Sequence, residues 1–345
     1  MVHIINWQDT INTPAPTVPP CRVRMAAFCT RISHDKASSA AHKVLINPYL
    51  CHMKRLIVFV SLALVAAGCT VSAEKSYVRK AVRLMDKQAL FAEGPAWEEA
   101  RSEALDAEPA TMEEAHEVVR KAIKVAGGKH SFIWTQEYQQ QDAETNQSVS
   151  PSVEVLDDGI AVITLPPFNA QGNAEMQRYA NAVLDVLPDS VPGAVIDLRG
   201  NTGGNMYPMC AAVHPLLTDG IVLKFRTRKN QSPITRSYFP QTAGVGARTF
   251  IGCPVALLVD SLTASSGEMV MICFRGQDRS RVFGMPTAGY TSGNRLFPMP
   301  DGSRLALTTS STLARTGEEF CNDPIAPDVL TDSPLEDALA WLREE

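Results

Sequence analysis

The chain has 345 residues, 45% of them hydrophobic, with 32 Lys/Arg against 37 Asp/Glu and a formal net charge of −5. That suits one large or two modest globular domains with a buried core. An acidic balance without a basic cluster argues against nucleic acid as a partner.

Residues 1–52 carry Pro14, Pro16, Pro19 and Pro20, three of the eight cysteines (Cys21, Cys29, Cys51) and no sustained amphipathic period, so no element is assigned to them. Met53-Lys54-Arg55 then supplies a positive start, Leu56 to Ala67 an apolar run of 12, and Ala66-Ala67-Gly68-Cys69 a small-residue cleavage site. The run is shorter than the roughly 20 residues that span a bilayer, which favours export and cleavage over a permanent helix. The segment 53–68 resembles a bacterial lipoprotein signal, which implies lipidation of Cys69 and a membrane tether. On that reading translation starts at Met53, and residues 1–52 are an upstream extension absent from the mature protein. Removing the seven Lys/Arg and two Asp/Glu of residues 1–68 leaves 25 basic and 35 acidic residues, a net of −10. Cys210, Cys253, Cys273 and Cys321 show no CxxC spacing, so metal binding is not expected, and one or two disulfides remain open in an exported chain.

Tyr77, Val78, Ala81, Val82, Met85 and Ala89 recur at helical spacing and predict a helix over 76–91, ended by Gly94-Pro95. A second helix is expected over 97–105. A third opens at the capping pattern Thr111-Met112-Glu113-Glu114 and closes at Gly127-Gly128. These three form an N-terminal helical module, residues 76–128, ahead of a core over 129–345. Beyond Ser150 the pattern alternates: strand 159–165, helix 174–187, strand 193–197, helix 206–217, and strands 221–225 and 255–259. Strand 281–284 follows, then a hairpin of 294–300 and 303–309 across Asp301-Gly302. A last helix covers 334–342. This predicts an α/β fold.

Three stretches carry the chemistry. Thr263-Ala264-Ser265-Ser266-Gly267-Glu268-Met269 sits between the apolar strand Val255 to Val259 and the start of a helix. Such a turn exposes a serine hydroxyl beside the free amides of a helix N-terminus, although serine and threonine there also serve as plain caps. A serine needs a base to remove its proton. Of the seven histidines, His3, His34, His42 and His52 precede the cleavage site. His116 reads as a surface position on the third helix, and His214 beside Pro215 as packing or charge complementarity at a helix end. His130, just past the diglycine at the module boundary, fits a cleft-facing base or an unremarkable structural residue. Gly200-Asn201-Thr202-Gly203-Gly204 lacks both phosphate-loop spacings and fits either a plain turn or an oxyanion hole shared with the Ser266 amide.

Together, Lys129-His130-Ser131-Phe132, Asp197-Leu198-Arg199-Gly200-Asn201-Thr202-Gly203-Gly204-Asn205 and the serine turn resemble the tail-specific, or C-terminal-processing, serine peptidase family. The resemblance spans about 76–345. Its lysine-dependent members place the base 25 residues after the serine, where Tyr290 stands here. The resemblance is therefore to the serine–histidine branch, the nisin-resistance and tricorn-core type, without a PDZ domain. It implies a crotonase/Clp-peptidase-like core of stacked strand-helix units and an endopeptidase working through an acyl-enzyme, with no cofactor and no metal. Ser265 would be the nucleophile, with Ser266 the competing choice, and His130 the base and then acid. Amides of Gly203 or Gly204 and Ser266 would form the oxyanion hole. Glu318 and Glu319 are the candidate orienting carboxylates. A peptide or protein is the expected substrate, and the cell envelope, on the periplasmic side of a membrane, is the expected location. An esterase-type acyl hydrolase and a non-catalytic peptide-binding lipoprotein stay open, and oligomeric state is not legible.

Overall fold

The computed structural model describes residues 72–170, 172–250 and 252–345, apart from the side chains of 145–148. The upstream extension, the signal segment and Cys69 lie outside the described residues.

Three helices come first, α1 (Ala73–Gln88), α2 (Pro95–Asp106) and α3 (Met112–Gly127), each within a turn of the bounds read from sequence. Thr111 caps α3 by accepting the Glu114 amide, and the Glu114 carboxylate reaches back to the Ala110 amide. The apolar stripe Tyr77, Val78, Ala81, Val82 and Met85 of α1 packs with Val119, Ala122, Ile123 and Ala126 of α3. Ile133, Met299, Leu305 and Leu307 close the same cluster from below, so the helices rest on a sheet. His116 joins that contact: it is 8% exposed and its Nε2 lies 2.7 Å from the Asp301 carboxylate. The surface role expected for it is thereby corrected, since the hairpin turn that covers it was not visible from the helix alone.

β1 (Phe132–Trp134) follows the module and leads into α4 (Gln136–Ser148), then β2 (Ser152–Val155), β3 (Ala161–Thr164), α5 (Asn173–Leu184) and β4 (Ala194–Asp197). α4 escaped the sequence reading because it is polar on all sides; its start is set by Thr135, which accepts the Tyr138 amide. Next come α6 (Met206–Val213), β5 (Ile221–Arg226), β6 (Gln231–Thr235), α7 (Tyr238–Ala243), β7 (Val255–Val259) and α8 (Ser266–Phe274). α6 stops sooner than expected and continues as a 3-10 turn, His214–Leu216, where Pro215 lacks the N–H that would extend the helix. The chain ends with β8 (Ser280–Gly284), β9 (Gly293–Pro298), β10 (Arg304–Ala314), β11 (Glu319–Phe320), β12 (Val329–Leu330) and α9 (Pro334–Glu344).

The fold is α/β with two sheets. The first has the order β12-β8-β7-β4-β3-β2, parallel from β12 to β3 with β2 antiparallel at the edge. β7 is apolar along its length, and β4 is apolar up to its last residue, Asp197, because this sheet is covered on both faces. One face packs on α5, α6 and α8; the other packs on α9 through Ala338 and Leu342. The second sheet is antiparallel and built around the 11-residue β10, which pairs with β1, β5, β9 and β11. Cys210, Cys253, Cys273 and Cys321 are all free thiols, with Cys210 and Cys273 3.9 Å apart between α6 and α8. The parallel sheet places three loops side by side at the carboxyl ends of β4, β7 and β8, the position where open α/β sheets bind ligands.

Candidate active site

The loop after β4 and the loop after β7 are tied together before either presents a functional group. The Asp260 carboxylate accepts the amides of Gly200, Leu262 and Thr263, and the Thr263 hydroxyl donates to the Leu198 carbonyl. The Ala264 amide donates to the Asn201 carbonyl at 2.9 Å. These bonds force a sharp strand-to-helix turn at Ser265, whose φ and ψ are 50° and −114°. A positive φ at a non-glycine residue stores on the order of 1–3 kcal/mol, and the surrounding bonds hold it there. Strain of this kind at a serine turns its hydroxyl away from the strand and into the space above the sheet.

The hydroxyl meets His130. Ser265 Oγ lies 3.1 Å from His130 Nε2, and both residues are withdrawn from solvent, at 0% and 1% exposure. Ser265 comes from the loop after β7 of the parallel sheet, whereas His130 stands two residues before β1 of the antiparallel sheet. Its position is fixed from both sides: Asn294 donates to the His130 carbonyl, and the neighbouring Ser131 hydroxyl accepts the Thr308 amide while donating to Gly127. Tyr290 packs edge-on against the imidazole with ring centroids 5.4 Å apart.

On the far side of the ring, His130 Nδ1 is 2.9 Å from Ser292 Oγ, which in turn donates to Asn322 Oδ1 at 2.8 Å. The direction of these bonds selects a tautomer. An amide oxygen only accepts, so the Ser292 proton points at Asn322, and Ser292 Oγ accepts from a protonated Nδ1. Nε2 is then left with a lone pair facing the Ser265 hydroxyl, the arrangement a general base requires. Neither carboxylate proposed as orienting group stands there. Glu318 pairs with Arg275, and Glu319 with Arg226 and the Ser311 hydroxyl. Ser292 and Asn322 were not singled out in the sequence. Both lie in irregular segments and are neutral, so no charge pattern marks them.

The glycine loop lies over the serine. A Cβ at Gly203, where φ is +105°, would approach Ser265 Cβ to 2.7 Å, and one at Gly204 would approach the Phe168 carbonyl oxygen to 2.2 Å, so both positions need glycine. The Gly203 amide is taken by Asn201 Oδ1 at 2.9 Å, which removes Gly203 from the expected set of oxyanion donors. Among the described residues the amides of Gly204 and Ser266 have no acceptor. The Ser266 hydroxyl donates to the Gly204 carbonyl at 2.7 Å, so of the two adjacent serines it is Ser265 that reaches the histidine. His214 is engaged elsewhere, bridging the Ala211 carbonyl and the Arg248 amide, and burial pushes its pKa down.

Residues 159–331 match the family model described as Peptidase family S41. The chain is 31% identical to the nisin-resistance protein of Lactococcus lactis subsp. lactis over 281 residues, 79% of this chain and 87% of that protein. It is 25% identical to a carboxy-terminal-processing protease of Bartonella bacilliformis over 51% of this chain, but spans only 39% of that protein. Among solved structures, a lipoprotein from Streptococcus agalactiae superposes with a TM-score of 0.73 at 29% identity, covering 80% of this chain and 98% of that one. The photosystem II D1 C-terminal processing protease superposes with a TM-score of 0.53 at 15% identity over 79% of this chain and 98% of that one, a likeness of fold.

Replacing Ser292 by alanine removes the acceptor that selects the tautomer of His130. In the unmodified protein at neutral pH, nitrogen NMR of the imidazole should show a protonated Nδ1 and a bare Nε2. Ser292→Ala should give a mixture of tautomers; an unchanged spectrum would mean that Ser292 does not set the proton's place.

Proposed function

The chain belongs to peptidase family S41, and from that premise we propose that it is a serine endopeptidase in which Ser265 is the nucleophile and His130 the general base and then acid. The observation that carries this reading is the 3.1 Å contact between Ser265 Oγ and His130 Nε2 in a pair otherwise shielded from water. Ser265 Oγ attacks the carbonyl carbon of the scissile peptide bond as its proton passes to Nε2. The tetrahedral intermediate collapses, the C–N bond breaks, and the amine leaves with that proton. Water then attacks the acyl-enzyme, gives a proton to Nε2, and releases the acid as Ser265 recovers its proton.

The negative oxygen formed in both steps is held by the amides of Gly204 and Ser266, whose donors are fixed before the substrate arrives. Ser292 and Asn322 keep the imidazole in its working tautomer. A peptide or protein is the substrate class that the family implies. We read the cleavage as directed near the C-terminus or at exposed segments, following the resemblance to processing peptidases. The same pair would hydrolyse an ester, so an ester-only activity would assign the chain to a different acyl hydrolase.

We read the location as the cell envelope, with the chain exported and tethered through lipid on Cys69. The basic start, the apolar run and the small residues before Cys69 support this, as does the description of the Streptococcus neighbour as a lipoprotein. Among the described residues no helix is long and apolar enough to cross a membrane.

Two measurements test these readings. Purified protein should cleave members of a peptide library, nisin included because the Lactococcus relative is named for resistance to it, with products read by mass spectrometry. Ser265→Ala and His130→Ala should each lower the rate by at least about 10³-fold; equal cleavage by the variants would end the proposal. Cells expressing the full chain should incorporate labelled fatty acid into it, and Cys69→Ser should abolish the label; label that survives the substitution would place the anchor elsewhere.

A further inference from the structure

Glu268 lies three residues beyond Ser265 on the first turn of α8 and is fully buried. A carboxylate in such a place needs its lone pairs satisfied, and here four donors do so. Oε1 accepts the Thr287 hydroxyl at 2.5 Å and the Gly289 amide at 2.8 Å. Oε2 accepts the Tyr290 amide and the amide of Ser265 itself, each at 2.8 Å. A glutamate at the third position of a helix ordinarily satisfies its cap alone. This one also gathers three donors from a segment 19 to 22 residues further along the chain.

That segment reaches the base. The Tyr290 ring packs edge-on against His130, and the Lys129 ammonium sits 4.6 Å above the same ring while bonding the Ala288 carbonyl. The Ala288 amide donates to the Thr263 carbonyl, and Thr287 is bonded through both its amide and its hydroxyl to Ile325. One carboxylate therefore touches the backbone of the nucleophile with the oxygen that also holds the residue packed on the base.

We propose that Glu268 is a positioning residue for the reaction: it joins the Ser265 turn to the 287–290 segment and so sets the separation of the Ser265 hydroxyl from the His130 imidazole. The inference rests on the reading of Ser265 and His130 as nucleophile and base. Because Glu268 occupies the Ser265 amide, it also leaves the oxyanion to Gly204 and Ser266. Burial raises the Glu268 pKa, while the four donors act in the opposite direction. A proton on either oxygen would confront a donor already in place.

The test compares Glu268→Gln and Glu268→Asp with Leu305→Ala, which opens a cavity at a fully buried site between the helical module and β10. Glutamine keeps the size but turns an NH2 against two of the donors; aspartate keeps the charge but is too short to reach both pairs. Per folded molecule, kcat should fall about 100-fold in Glu268→Gln and about 10-fold in Glu268→Asp, with KM within about threefold of the original; Leu305→Ala should keep its kcat. If both Glu268 variants keep kcat within about threefold per folded molecule, the proposal is overturned. Crystal structures supply a readout that does not depend on hydrolysis: the Ser265 to His130 contact should open beyond hydrogen-bond reach in a Glu268 variant. Should the unmodified protein cleave nothing, the functional reading fails, and an unchanged contact in the variant crystals would overturn the positioning role as well.

Discussion

The site depends on a serine held in a backbone conformation that serine does not favour. At φ 50° Ser265 cannot continue β7 or begin α8 in the ordinary way, so its hydroxyl leaves the backbone in a direction neither element would give it. Maintaining that turn requires bonds from several parts of the chain: Asp260 and Thr263 within the loop, Asn201 from the glycine loop, and Glu268 from the helix. Glycine at 203 belongs to the same constraint, because any side chain there would collide with Ser265. The parallel sheet makes these contacts available by ending β4, β7 and β8 side by side.

The histidine proposed as base stands in the turn that leads into the other sheet, and its surroundings differ from those of a triad with a carboxylate. His130 Nδ1 bonds a hydroxyl, which bonds an amide. A neutral chain of this kind fixes the tautomer and the ring plane as a carboxylate does, but adds less stabilisation to the imidazolium formed during reaction. The hydroxyl at Nδ1 is itself neutral, in a site whose serine and histidine are both shielded and where an uncompensated charge would be costly to bury. On the mechanism proposed above, orientation is retained and electrostatic assistance is reduced, which shifts more of the catalytic burden to the proposed oxyanion donors, the amides of Gly204 and Ser266.

The sequence made the principal parts legible because each is a local pattern. Ser265 follows a fully apolar strand, His130 follows a diglycine, and Gly203-Gly204 closes another apolar strand. The helical module was readable from its 3.6-residue period, and the hairpin from Asp301-Gly302. What stayed hidden depends on distant pairing. Ser292 and Asn322 meet His130 across separations of 162 and 30 residues in successive bonds, and neither type stands out in a loop. Glu268 was visible as an acidic residue in a helix's first turn; its bonds to Thr287, Gly289 and Tyr290 were not. His116 looked like a surface position until the Asp301 turn was brought against it. α4 has no apolar face from which a period could be read.

The most direct test of the central claim is to treat the protein with a fluorophosphonate, which phosphonylates activated serines, and to locate the adduct by peptide mapping. The account predicts one adduct, on Ser265, that disappears when His130 is replaced by alanine. An adduct on Ser266, or labelling of Ser265 that persists at the same rate without His130, would contradict it.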